Sequence, residues 1–145
     1  MNLCNLRNSF RLKEERKWDT LYVLLDVHGV IIPGSLHGDN ELKFISDACI
    51  EVLRWFSSRK DIRIILWTSS YTKEITKIIE WLDKYNIEID YVNFNPECIN
   101  TAYADFRDKP YFNILIDDKS GFEPDKDWGE LKMQLIGLGE WDRKI

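Results

Sequence analysis

The sequence predicts an α/β fold, a doubly wound (Rossmann-like) parallel sheet of about five strands, from two observations. Short apolar runs rich in β-branched and aromatic residues recur along the chain, and segments with the period of an amphipathic helix separate them. Strands that are continuously apolar and alternate with helices belong to a parallel sheet with covered faces and right-handed crossovers. A length of 145 residues with 44% hydrophobic content suits one domain with a real core. That domain is placed at residues 21–145, behind an N-terminal extension at 1–20 that is helical or frayed.

The first strand is Leu21–Leu25, which stops at Asp26 and runs into a loop containing Gly29, Pro33 and Gly34. Cys49, Val52, Leu53 and Phe56 then share one helical face, with Ser46 or Asp47 near the start. Ile62–Trp67 is the second strand; the hydroxyls of Thr68, Ser69 and Ser70 after it are suited to capping a second helix. That helix is written in Ile75, Ile78, Ile79 and Leu82, with Glu74 in its first turn and Lys84 and Asn86 at its end. Tyr91–Phe94 reads as a third strand, and the polar stretch 95–108, with Pro96, as a loop. Tyr111–Ile116 is the fourth strand, ending on Asp117 and Asp118 and a turn-rich segment to Pro124. Met133–Ile136 is read as the fifth.

Composition narrows the function classes. Twenty Lys and Arg against 25 Asp and Glu give a net charge of −5, so nothing draws the chain globally to nucleic acid or anionic lipid, although a local patch is allowed. The three cysteines have no C-x-x-C spacing, which argues against a disulfide framework or a zinc site, and Cys49 is read as a small core side chain. No apolar run reaches the roughly 20 residues of a membrane span, and the first residues lack the apolar stretch of a signal peptide. A cytoplasmic protein is expected. The extension carries Arg7, Arg11, Lys13, Arg16 and Lys17 beside Leu3, Leu6 and Phe10, the pattern of a docked or frayed helix.

Ligands of open parallel sheets bind beyond the carboxyl ends of the strands. Those ends carry Asp26 and His28, Thr68, and Asp117 with Asp118; Lys109 stands just ahead of the fourth strand. Carboxylates brought together at neutral pH repel one another unless a cation sits among them, and an all-oxygen donor set suits Mg²⁺. Thr68 and Lys109 would supply a donor and a positive charge to phosphoryl oxygens, and Asp26 can serve as a nucleophile.

The segments LYVLLDVHGVI, IRIILWTSS, RDKPYF and FNILIDDKSG, in this order, resemble the four motifs of the haloacid dehalogenase superfamily, over roughly Leu21 to Trp128. Asp127-Trp128-Gly129 is similar to a later element of small capless phosphatase-like members. The resemblance implies a Mg²⁺-dependent phosphatase working through an aspartyl-phosphate on Asp26. It implies phosphate binding by Thr68, Ser69 and Lys109. It further implies a metal held by Asp26, the His28 carbonyl, Asp117 and Asp118, with Asp118 in direct contact and Asp117 on Lys109 or a metal-bound water.

The sequence departs from that family at one informative place. The usual second aspartate of the first motif is His28, which could do the same acid–base work near neutral pH or could leave a binding or regulatory module with little turnover. His37, in the loop SLHGDN, is read as a solvated residue. The spacing leaves no room for a cap domain, so the resemblance implies a large phosphorylated substrate, such as a protein side chain or a nucleic-acid end, or a cover from a second subunit. Residues 33–40 and 95–108 would form the rims. Of the six tryptophans, Trp55, Trp67 and Trp81 are assigned to packing rather than to stacking on a ligand.

Overall fold

The structure, a computed structural model, describes residues 4–35 and 41–143. His37 and most of the first rim segment lie outside the described residues. The elements run α1 (Cys4–Glu15), β1 (Leu21–Leu25), α2 (Asp47–Ser58), β2 (Ile62–Leu66), α3 (Thr72–Asp83), β3 (Tyr91–Val92), β4 (Ile114–Ile116) and α4 (Pro124–Gly137). The four strands form one all-parallel sheet in the order β3-β2-β1-β4. The fold is thus α/β and Rossmann-like, with four strands where about five are expected.

The residues explain these elements. Every residue of β1 is buried, as a central parallel strand requires. Ser46 caps α2 by accepting from the Cys49 N–H at 3.2 Å, and the face beneath it buries Cys49, Val52, Leu53, Trp55 and Phe56. Cys49 is fully enclosed, and burial pushes its thiol well above the ordinary range, so it is an inert core side chain.

The missing fifth strand is a correction with a clear cause. Met133–Ile136 lies inside α4, which Pro124 opens at its first turn, with Asp125 and Asp127 favouring that end. Trp128, Leu131 and Leu135 recur at three and four residues and are fully buried, whereas Met133 and Ile136 face solvent. The local apolar run has the period of a helix, not of a strand. Three other strands are shorter than expected: β2 ends at Leu66, one residue early, Asn93 turns out of β3 with φ 58°, and the Asn113 side chain accepts from the Tyr22 N–H, ahead of where β4 begins.

The layers also differ from a doubly wound arrangement. Leu21, Val23 and Leu25 share a face with Ile62, Ile64, Leu66, Ile114 and Ile116, and the buried side chains of all four helices join that face in one core. Leu6 and Phe10 bring α1 into it. The opposite face holds Tyr22, Leu24 and Ile65, packed by Trp67, Tyr91, Cys98, Tyr111, Phe112 and Leu115. Among the described residues no helix covers it; the crossing from β3 to β4 does so as irregular chain. Its Pro96 and Pro110 and its lack of a helical period account for that.

Trp55, Trp81 and Trp128 are packing residues: Trp55 and Trp128 are buried, and Trp81 stacks on Phe44 at 4.3 Å. Among the described residues no helix is long and apolar enough to cross a membrane.

Candidate active site

Register decides where the chemistry sits. Leu25 pairs with both Leu66 and Ile116, so the residues just after these three strand ends, Asp26, Trp67 and Asp117, emerge together at the carboxyl edge. A crevice of about 760 Å³ opens there, lined by Asp26, His28, Gly29, Trp67, Thr68, Ser69, Asn93, Asp117, Asp118 and Lys119. This is the switch region of an open parallel sheet, where strand order turns from β1 towards β2 on one side and β4 on the other.

The loop after β1 is folded back on itself. The Val27 carbonyl accepts from the N–H groups of Val30, Ile31 and Ile32 at 3.2, 2.9 and 3.3 Å, and the Gly29 N–H donates to Ile32 at 2.8 Å. Gly29 has φ +79°, and a Cβ there would lie 2.9 Å from Asp118 Oδ2. Only glycine allows both the left-handed turn and the approach to that carboxylate. Trp128 fixes the loop from beneath by donating its indole N–H to the Val30 carbonyl at 2.9 Å.

Asp117 and Asp118 are set by a 3-10 turn over Asp118–Ser120. Asp117 Oδ1 accepts from the Lys119 N–H at 2.9 Å, and its carbonyl accepts from the Ser120 hydroxyl at 2.8 Å. The turn aims both carboxylates towards Asp26. Asp26, Asp117 and Asp118 each offer an oxygen, and these three atoms lie within 4.8 Å of one another. Burial, together with the neighbouring charges of Asp117 and Asp118, pushes Asp26 up to about 7, against the opposing backbone hydrogen bond at Val27. Three oxygens this close, with one carboxyl driven towards protonation, are an incomplete charge set that a hard divalent cation would complete. The residues fit Mg²⁺ on that ground.

Thr68 is held by a neighbour that sequence reasoning missed. Its N–H donates to Asn93 Oδ1 and its carbonyl accepts from Asn93 Nδ2, both at 2.8 Å. The left-handed turn at Asn93 makes this double clamp, and an asparagine directly after a short strand is its faint signal in sequence. The hydroxyls of Thr68 and Ser70 bond to each other at 3.0 Å. They do not cap α3, whose N-cap is Tyr71, without a side-chain capping bond. Thr68 lines the crevice instead, and Ser70 Oγ lies 3.4 Å from His28 Nε2.

His28 lines the crevice as expected, with its Nε2 3.2 Å from Glu74 Oε1. Lys109 does not. It is exposed in the chain ahead of β4 and is not among the residues lining the crevice. The nearby Tyr111 shares a separate cavity with Lys17–Thr20, which precede β1, so this part of the chain is at the amino edge of the sheet. Lys119 lines the crevice in its place. Its signal in sequence is its position directly after the paired acids. Trp67 both packs on the helix-free face and lines the crevice, more than the packing role expected of it.

Set against models of protein families, against curated proteins and against solved structures, the chain matches none.

Proposed function

We propose that this chain is a capless, Mg²⁺-dependent phosphatase of the haloacid dehalogenase type, with Asp26 as nucleophile. The observation that carries the reading is the convergence of Asp26, Asp117 and Asp118 within 4.8 Å at the carboxyl edge of a parallel sheet, with Thr68 on the adjoining strand end. Asp26, Asp117, Asp118 and the His28 carbonyl would hold the ion. When bound, Mg²⁺ neutralises the carboxylates and polarises the phosphoryl oxygens.

Asp26 then attacks phosphorus, the bond to the leaving oxygen breaks, and His28 gives that oxygen a proton. Water later attacks the aspartyl-phosphate, passes a proton to His28, and frees inorganic phosphate and Asp26. Thr68, Ser69 and Lys119 stabilise the phosphoryl oxygens, Lys119 replacing Lys109 in that role. A crevice over which no cap lies among the described residues suits a phosphate carried on a macromolecule.

Hydrolysis of 4-nitrophenyl phosphate should require Mg²⁺ and fall by at least about 10³-fold in Asp26→Asn. Turnover that persists in the variant would overturn the reading. Lys119→Met should cost about 10²-fold in kcat, and Lys109→Met less than about twofold; the reverse pattern would restore Lys109 to the site.

A second reading, a metal-binding module without turnover, is favoured by one observation: a histidine stands where the family has its acid–base aspartate. His28→Asp separates the two. Activity gained from nothing supports the module, and activity lost makes histidine the working group.

A further inference from the structure

The hydrogen-bond ladder of the sheet runs one residue past its strands. The N–H groups of Asp26, Trp67 and Asn93 donate to the carbonyls of Ile116, Leu25 and Leu66 at 2.9, 2.8 and 2.8 Å. Leu25 is level with Leu66 and Ile116, and Leu66 with Val92, so a row crosses the carboxyl edge in the order Asn93, Trp67, Asp26, Asp117. Successive residues of a strand point to opposite faces. Leu25, Leu66 and Ile116 belong to the helical core, and Asp26, Trp67 and Asp117 therefore take the helix-free side together.

Neighbours in such a row stand about 5 Å apart, so Asp26 has two unlike flanks. One is acidic, with oxygens of Asp117 and Asp118 within 4.8 Å. The other is the half-buried indole of Trp67, which packs on Tyr22, Leu24 and Ile65 and also lines the crevice. Any large apolar side chain would serve the packing; an indole that borders the crevice beside Asp26 can also touch a ligand. It has no charge to offer phosphoryl oxygens, so what it can hold is the group the phosphate is attached to. Apolar surface continues on that side. Phe94, directly after Asn93, is 54% exposed, and its ring lies 6.2 Å from that of Tyr91, which packs on the same cluster as Trp67.

We propose, resting on the phosphatase reading, that Trp67 is a specificity-determining residue: a platform for a flat aromatic ring joined to the ester oxygen directly or through one carbon. Attacking and leaving oxygens lie in line at phosphorus, so the leaving group runs outward past the side chains that flank Asp26. On the Asp117 flank it meets charge and water. On the Trp67 flank a flat ring gains an offset-stacked or edge contact in addition to burial. A ring this close to the ester oxygen is within reach of a residue beside the nucleophile, whereas a base held a sugar away from its phosphate is carried past it.

Calorimetry with phosphonates, which cannot be hydrolysed, tests this without turnover. In Mg²⁺ the protein should bind benzylphosphonate about five- to tenfold tighter than cyclohexylmethylphosphonate, a puckered ring of similar size on the same one-carbon link. Trp67→Leu should bring the two within about twofold, and Trp67→Phe, which keeps a flat ring and most of the packing, should retain a preference of about threefold or more. Equal weakening of both phosphonates in Trp67→Leu would reduce Trp67 to a packing residue. An unaltered preference in that variant, no preference in the wild type, or no binding of either phosphonate would equally overturn the assignment. Hydrolysis separates the two readings. Benzyl phosphate should exceed cyclohexylmethyl phosphate about five- to tenfold in kcat/KM, the leaving alcohols being of similar acidity. Turnover that needs Asp26 but ignores the ring sinks the role of Trp67 and leaves the phosphatase standing. A ring preference in binding that Trp67→Leu removes, in a protein without turnover, overturns the phosphatase and keeps the platform.

Discussion

Two clusters of charge lie in this molecule and are built in opposite ways. At the lower end of the core, Arg59 pairs with Asp61 through two hydrogen bonds of 2.8 Å and reaches Glu140 at 3.1 Å. Lys13 adds a contact to Asp61 at 3.1 Å, and the guanidinium lies over the Trp55 ring at 4.8 Å. Burial raises Asp61, but the hydrogen bonds and charges of Arg59 and Lys13 outweigh it, and the net shift is down. At the carboxyl edge, burial and like charge act together on Asp26, and the net shift is up. One cluster is complete within the chain and stitches α1, the turn before β2 and the C-terminal segment together. The other gathers three carboxylate oxygens within 4.8 Å of one another and leaves Asp26 raised. A charge cluster therefore points to function when its own chain leaves it unbalanced.

Removing the central cation should destroy the first cluster. Arg59→Ala takes the guanidinium from buried Asp61 and from partly buried Glu140, leaving Asp61 only Lys13, and should cost about 3–5 kcal/mol in urea denaturation. A loss below about 1 kcal/mol would mean the network is no more than a surface pair. At the crevice, Gly29→Ala sets a Cβ against Asp118 in a left-handed turn and should destabilise by about 1–3 kcal/mol. Calorimetry should also show weaker Mg²⁺ binding, and unchanged binding would show that the loop gives way without moving Asp118.

The smallest effect has the opposite sign. Asp26 titrates at about 7 when folded and at ~3.9 when unfolded, so between those values the folded chain binds the extra proton. The contribution of Asp26 to stability is fully present below about pH 4 and is lost as pH rises through about 7. Without divalent cations Asp26→Asn should thus be more stable than wild type by about 1–2 kcal/mol at pH 8 and equal to it near pH 4. Mg²⁺ should close the gap at pH 8 by stabilising the wild type alone. A variant no more stable than wild type at pH 8 in chelator would mean that the three carboxylates do not repel.

The parts of this fold legible in sequence are those with one dominant signal. β1 is an unbroken apolar run and β2 is interrupted only by Arg63, and α2 and α3 have clean helical periods. α4 is hidden because its buried apolar residues start at Trp128, behind a proline and three charged residues that resemble a turn. Asp26, Thr68, Asp117 and Asp118 are legible because strand ends in a parallel sheet must emerge together. Lys109 misleads because distance along the chain says nothing about which end of a strand a loop reaches, and Glu74 reads locally only as a helix-start residue. Long-range partners explain the rest: Asn93 and Thr68, or Glu74 and His28, are 25 to 46 residues apart in sequence, and no local pattern carries that.

The helix-free face has a consequence for how the molecule breathes. The irregular crossing over Tyr22, Leu24 and Ile65 is held at few points, among them Glu97 to Arg63 at 2.9 Å and Asn95 to the Tyr111 carbonyl at 3.0 Å. Lifting it would leave the helical layer in place, so this segment should open more readily than the whole molecule unfolds. Asn93, at the root of that crossing, would then release the Thr68 backbone. Amide hydrogens at the head of the crevice should therefore exchange with solvent much sooner than those of β1, and the Thr68 side of the crevice should be its most pliant wall.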